Sequence, residues 1–251
     1  MSKPVETQRL DQLMVSLGLL ESRSRARDAI ARGTVTVNGQ VAVKAGQTFP
    51  PDATIVIDDP AQAYVSRAAL KLSAALDRFG LDPEGRTCLD VGASTGGFTE
   101  VLLKRGARHV TAIDVGHGQM HERIAGDPRV TNIEGLNARH LSGDDLGGRE
   151  IDFVVSDVSF ISLKLALPPA LNLARPGAIC VLLVKPQFEA GREAIGKGGL
   201  LRDPGSAPAV ATGLERWLVE DMGWTGLGLT PSPISGGDGN QEFLLAGRKP
   251  E

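Results

Sequence analysis

The run Leu89-Asp90-Val91-Gly92-Ala93-Ser94-Thr95-Gly96-Gly97-Phe98 has the composition of a ligand loop. It leaves an apolar run and enters a helical one. Glycine lets a backbone approach a ligand closely, and a helix start offers unpaired N–H groups. The spacing is not the dinucleotide pattern G-x-G-x-x-G, because Ser94 stands at the second glycine position. Asp90, two residues before Gly92, suits a ligand that carries an ammonium group. The next apolar strand ends in Asp114, 24 residues after Asp90, where a carboxylate can accept both hydroxyls of a ribose. An amino acid at one end and a nucleoside at the other describe S-adenosylmethionine. The plain alternative is a strand–turn–helix with a tight glycine turn.

Such a loop needs strands and helices in alternation to hold it. Seven strands are predicted after residue 64, at 87–91, 110–114, 130–134, 151–157, 179–184, 225–229 and 242–247. Helices are predicted at 65–79, 96–105, 162–174 and 207–222. Buried β-branched runs alternating with helices predict an α/β fold with a mostly parallel sheet and right-handed crossovers. The last two strands leave no room for a helix and predict an antiparallel hairpin at the edge. Residues 9–57 differ in style. Leu10, Leu13, Met14 and Leu17 recur at helical spacing up to Gly18, and Ser22 is a good N-cap for a second helix reaching Arg32. Strands follow at 34–37 and 40–43 around Asn38-Gly39, a type I′ hairpin signal, and at 54–57. The units predicted are 1–57 and 64–251, with 58–63 as linker.

Lys and Arg number 27 against 30 Asp and Glu, a net charge of −3, which argues against nucleic-acid binding by the whole surface. The charge is uneven. From Arg9 to Lys44 six basic residues stand against three acidic ones, so positive charge gathers near the start of the chain. A hydrophobic content of 41% with 23% charged residues excludes global disorder. No apolar run reaches the ~18 residues of a membrane span. The polar start Met1-Ser2-Lys3-Pro4-Val5-Glu6 lacks the apolar stretch of a signal peptide. Cys88 and Cys180 both fall in strand-like runs, which fits a reduced, cytoplasmic protein.

The glycine run through Thr99 resembles the first motif of the FtsJ-like class of S-adenosylmethionine-dependent RNA methyltransferases. Arg9-Leu10-Asp11 and Ser24-Arg25-Ala26-Arg27-Asp28-Ala29-Ile30 resemble the small α+β RNA-binding fold of ribosomal protein S-four. The two in this order are similar to the TlyA-type hemolysin/ribosomal RNA methyltransferase family, over nearly the whole chain. Ser66-Arg67-Ala68-Ala69-Leu70-Lys71-Leu72, Ser156-Asp157-Val158-Ser159-Phe160-Ile161-Ser162 and Val184-Lys185-Pro186-Gln187-Phe188-Glu189 carry the likeness further.

The resemblance implies a Rossmann-like class I methyltransferase domain with an S-four-like domain before it. It implies ribose 2′-hydroxyl methylation by Lys71, Asp157, Lys185 and Glu242. Lys185, crowded by Lys71 and partly desolvated, would be the general base, with Asp157 and Glu242 orienting the amines. Close carboxylate contact would work against that role. Each of these charges alone could equally be a solvated surface group. Asp157 and Lys185 are harder to dismiss, since each follows a strongly apolar strand. The cofactor contacts expected are Asp90, Gly92, Ala93, Ser94, Gly96, Gly97, Phe98, Asp114, Val115, Asn137 and Asp157; at Asn137 a plain turn is the alternative. No prolines follow Asp157 to shape an amino-methylation pocket, and Cys88 and Cys180 read as core rather than as nucleophiles for carbon methylation. No metal is required for the transfer.

Arg9, Arg23, Arg25, Arg27, Arg32 and Arg67 are the RNA contacts expected, against the alternative of an ordinary solvated helix face. Aromatic residues are ten of 251, and only Phe49 precedes the linker, which favours phosphate and shape recognition of structured RNA over base stacking. The glycine-rich stretch 191–202 reads as a mobile lid that orders on RNA. The partners expected are structured ribosomal RNA or ribosomal subunits, without a membrane. The alternatives are a noncatalytic ribosome-assembly factor with a cofactor pocket, and a membrane-active hemolysin.

Overall fold

The computed structural model describes residues 6–251. Residues 1–5, on which the reading of an absent signal peptide rests in part, lie outside the described residues. The chain separates after Gln62 into two compact units.

The first unit begins with β1 (Gln8–Arg9), α1 (Leu10–Ser16) and α2 (Arg23–Ala31). β2 (Val35–Val37), β3 (Gln40–Val41), β4 (Thr48–Phe49) and β5 (Ile55–Ile57) follow. Ser22 caps α2 as its sequence predicts, its hydroxyl accepting from the Arg25 amide at 3.3 Å. The Asn38-Gly39 turn has positive φ at both residues, 51° and 80°, as a type I′ turn demands, and it joins β2 to β3. β5 pairs with the other edge of β2. The short pair β1–β4 was not foreseen, because two-residue strands carry no periodic signal. Leu10, Met14, Ala26, Ala29, Ile30, Val35 and Val37 form the core. The expected linker is partly built into this unit: Asp59 is buried and bound by Arg32.

The second unit holds α3 (Ala69–Phe79), β6 (Thr87–Val91), α4 (Gly97–Lys104) and β7 (His109–Asp114). Next come α5 (Glu122–Ala125), β8 (Val130–Glu134), β9 (Ile151–Ser156), α6 (Leu163–Ala166) and α7 (Pro168–Leu173). β10 (Ala174–Val184), α8 (Pro186–Glu189), α9 (Ala207–Glu220), β11 (Thr225–Pro231) and β12 (Phe243–Arg248) complete it. The seven-stranded sheet runs β11-β12-β10-β9-β6-β7-β8. β12 lies antiparallel between β10 and β11, and the other neighbours are parallel. The predicted terminal hairpin forms, with β11 as the edge.

Side chains alternate across the sheet. Cys180, Leu182 and Val184 pack with α6, α7 and α9 on one face. Val181 and Leu183 pack with α3 and α4 on the other. Both faces are covered, which is why β10 reads as a continuous apolar run. The helix expected at 162–174 is two short ones, broken at Leu167, since Pro168 has no N–H to continue the ladder. The helix expected from 65 starts at Ala69, after a turn in which the Ser66 hydroxyl accepts from the Ala68 amide.

Strand order turns back between β6 and β9, so the carboxyl ends of these two neighbours form a switch point, the place where open α/β sheets bind ligands. β6 ends in the glycine loop, and β9 ends at Asp157.

Candidate active site

The glycine loop is fixed by its own backbone. The amides of Gly92 and Ala93 both donate to the carbonyl of Ile113, at 2.9 and 3.1 Å. Gly92, Ser94 and Gly96 all have positive φ. Gly92 is required twice over: its φ is +83°, and a Cβ there would stand 3.0 Å from the Asp157 carbonyl oxygen. The Asp157 amide in turn donates to the Val91 carbonyl at 3.1 Å, which locks the two strand ends together.

A cavity of about 420 Å³ opens at this mouth, bounded by Gly92, Ser94, Asp114, Val115, Asn137 and Asp157. Leu136, Val158 and Ile161 give it apolar walls, and the size suits a nucleoside-sized ligand. Both Asp114 oxygens face backbone donors: Oδ2 accepts from the Ser94 amide at 2.8 Å and Oδ1 from the Gly116 amide at 2.7 Å. A smaller cavity on the other side of the loop is bounded by Ala93, Gly97, Phe98, Ser66 and again Asp157. Asn137 lines the larger cavity and also caps the turn after it, its side chain accepting from the Arg139 amide.

Two expected contacts sit elsewhere. Asp90 lines neither cavity; it is fully buried beneath the loop, with Oδ2 accepting from the Thr99 hydroxyl at 2.7 Å. Burial pushes its carboxyl up to about 7, and Oδ1 has no partner among the described residues. Gly96 is a structural glycine at the start of α4, where a Cβ would press on Ile124.

The four charged residues come together from α3, β9, β10 and β12. Lys185 Nζ lies 2.6 Å from Asp157 Oδ1 and donates to the Ser159 hydroxyl at 2.7 Å. Lys71 and Glu242 form a second pair, both buried. Burial raises the Glu242 carboxyl above its ordinary value; Lys71 and Lys185 oppose the shift and Asp157 adds to it, so all four share one field. Each lysine faces its own carboxylate, Asp157 beside Lys185 and Glu242 beside Lys71. Burial also pushes the thiols of Cys88 and Cys180 up, which agrees with their reading as core residues.

Sequence reasoning gave no role to three residues here. Ser159 holds the Lys185 amine. Gln119 accepts from the Ser94 hydroxyl at 3.1 Å. Phe160, on the cavity rim, is 90% exposed with φ +65° and stands 5.2 Å from the Phe188 ring. An aromatic residue that is both exposed and backbone-strained on a cavity rim is a candidate for a functional position. Its only sequence signal was membership in the run 156–162.

A family model for FtsJ-like methyltransferases matches residues 64–249, and a model for the S4 domain matches residues 8–55. The chain belongs to the FtsJ-like methyltransferase family. The relative TlyA of Mycobacterium tuberculosis, a 16S/23S rRNA (cytidine-2′-O)-methyltransferase, is 45% identical over 94% of this chain and 88% of its own. Hemolysin A of Brachyspira hyodysenteriae is 41% identical over 94% of this chain and 98% of its own. A solved structure from Streptococcus thermophilus, which carries the name hemolysin, superposes with a TM-score of 0.76 at 39% identity, covering 98% of this chain and 90% of that one. No helix among the described residues is long and apolar enough to cross a membrane.

In this FtsJ-like methyltransferase the S4 domain ties its arginines to carboxylates and carbonyls. Arg9, Arg23 and Arg27 all reach the buried Asp11, at 3.0, 3.2 and 3.0 Å. The Arg9 guanidinium, with those of Arg27 and Arg23, holds Asp11 well below the usual carboxylate range. Their side chains stay 44–54% exposed and remain open to a ligand. Arg25 contacts Glu21 and the Ala61 carbonyl. Arg32 differs: its side chain is only 15% exposed and is bound to Asp59 at 2.5 Å, so it is structural. In the methyltransferase domain, the Arg67 guanidinium lies beside the loop before Glu242, where a Cβ on Gly237 would come within 3.3 Å. The stretch expected to be a loose lid is folded back: Ile195 and Leu201 bridge, and Asn240 holds Gly199 and Leu201.

Proposed function

We propose that this chain transfers a methyl group from S-adenosylmethionine to a ribose 2′-hydroxyl of ribosomal RNA. The observation that carries the reading is the Lys185–Asp157 pair at the strand switch point, directly beside the glycine loop.

The residues present fit the donor. Gly92 leaves a cradle that a Cβ would fill, and the unpartnered Asp90 Oδ1 beneath the loop suits the field of a nearby ammonium. Asp114 would take the ribose, and Val115, Leu136 and Asn137 would enclose the base. Bound there, the donor supplies a methyl group on a positively charged sulfur.

The protein's part is proton transfer and alignment. In its neutral form, Lys185 Nζ accepts the proton of the 2′-hydroxyl as the oxygen forms its bond to the methyl carbon and the carbon–sulfur bond breaks. The resulting ammonium would be held by Asp157 and Ser159. Glu242 pairs with Lys71, so that neither charge is buried alone beside the reacting amine. Phe160 offers a face on which a base beside the target ribose could stack. Such a substrate puts the work in the cytoplasm, with the ribosome.

The test is incubation of the protein with ribosomal subunits and donor labelled at the methyl carbon. Label in RNA, at a position resistant to alkaline cleavage, is expected. Binding of RNA and donor with no label in RNA would overturn the reading in favour of a noncatalytic factor.

A further inference from the structure

The opposite edge of the same sheet carries a cleft larger than the cofactor cavity, about 780 Å³. It lies at the amino ends of the parallel strands, about 16 Å from the reaction mouth along a five-residue strand such as β6. Each of four neighbouring strands brings one arginine to it. Arg86 immediately precedes β6, Arg108 immediately precedes β7, Arg149 stands two residues before β9, and Arg175 is the second residue of β10.

The cluster is built, not incidental. Buried Asp152 accepts from the Thr87 amide at 2.8 Å and lies 2.5 Å from Arg175 Nε and 3.9 Å from Arg108. Arg108 also donates to the Thr87 hydroxyl at 2.8 Å. One carboxylate therefore anchors two guanidinium groups. Arg86 and Arg149 donate only to backbone carbonyls, of Asp82 and Leu146, and among the described residues neither has a carboxylate within 4.0 Å. Glu84 and Glu150 complete the lining without an ion pair to any of the four. The positive field is felt locally: His109 is held below its ordinary value by burial first, then by Arg149 and Arg108. The cleft contains no Phe, Tyr or Trp on which a base could stack.

We propose that this arginine cleft is a second RNA contact, which grips phosphodiester groups of the substrate RNA away from the methylated nucleotide. Guanidinium groups pair with phosphate oxygens in bidentate fashion, and the absence of aromatic rings fits backbone rather than base recognition. The proposal rests on an RNA substrate, and it adds a site at the far edge of the sheet.

The test uses the full chain and a fluorescently labelled structured ribosomal RNA fragment. Arg86→Glu with Arg149→Glu leaves the Asp152 anchor untouched. RNA affinity should fall about tenfold or more, and the slope of log affinity against log salt should shrink by about two. Arg86→Lys with Arg149→Lys should keep the salt slope of the wild type while losing part of the affinity, since lysine keeps the charge but not the fork, and donor affinity should not change in either. Unchanged RNA affinity and salt slope in a folded glutamate variant would overturn the proposal, even with methylation intact. If inorganic pyrophosphate shifts the His109 resonances while the glutamate variant keeps full RNA affinity, the cleft is a small-anion site and the proposal also fails. Loss of RNA binding by the variant, in a protein that proves unable to methylate, would leave this site standing and remove only the catalytic reading.

Discussion

Lys185 and Asp157 meet at 2.6 Å although they follow two different strands, β10 and β9. Their pairing is dictated by the parallel register of those strands, in which Leu182 lies opposite Ser156. A lysine three residues after Leu182 and an aspartate one residue after Ser156 then share the carboxyl edge.

Removing the amine should therefore abolish chemistry and spare binding. Lys185→Met is expected to lower single-turnover methylation by roughly 10²–10⁴-fold, the usual worth of a positioned base. Donor affinity by calorimetry should stay within a few-fold of wild type. Near-normal turnover in this variant would dismiss Lys185 as the base.

The Lys71–Glu242 pair is buried on both sides, so its loss should show in stability as well as rate. Glu242→Leu leaves a buried ammonium unpaired and should cost about 3–5 kcal/mol in urea unfolding. Adding Lys71→Met should recover most of that stability with activity still absent. Activity returning in the double variant would show that the pair serves the fold alone.

Asp90 gives a pH signature. Its carboxyl is raised to about 7 in the folded protein, against about 3.9 for an unfolded aspartate. The raised value means the fold favours the protonated form. That stability is complete below about pH 4 and is lost as pH rises through 7. Asp90→Asn should thus gain melting temperature relative to wild type on going from pH 4.5 to pH 8. Glu189 and Glu242 are also raised, but both are present in the two proteins and cancel in the comparison. An equal gap at the two pH values would assign the titration elsewhere.

Phe160 holds a left-handed backbone while packing little. Phe160→Gly should raise stability by about 1 kcal/mol, the cost of that conformation for a residue with a Cβ. RNA methylation should fall at the same time, with donor affinity unchanged. A variant more stable and equally active would leave the ring without a role in the reaction.

What the sequence disclosed was mostly local. The Asn38-Gly39 turn, the Ser22 cap, the glycine loop and the strand ending in Asp114 are each written within a few residues, and the structure contains all of them. What it hid was pairing over distance. Lys71 and Glu242, 171 residues apart, were brought together only by the family resemblance, and nothing linked Leu201 to Asn240, 39 residues on. Neither side of such a pair carries a mark of the other. In the stretch read as a lid, the glycines were visible and the asparagine that bonds to Gly199 and Leu201 was not. Arg32 read like the other arginines clustered around α2, but its side chain is bound by Asp59.

Asp11 has a last consequence. A single carboxylate gathers Arg9, Arg23 and Arg27, so three long side chains share one anchor within the S4 domain. Immobilising such a side chain at an interface costs about 0.5–1.5 kcal/mol each. For the RNA contact expected of these arginines, part of that ordering is already done when the S4 domain folds, so a phosphate would meet a stencil already cut.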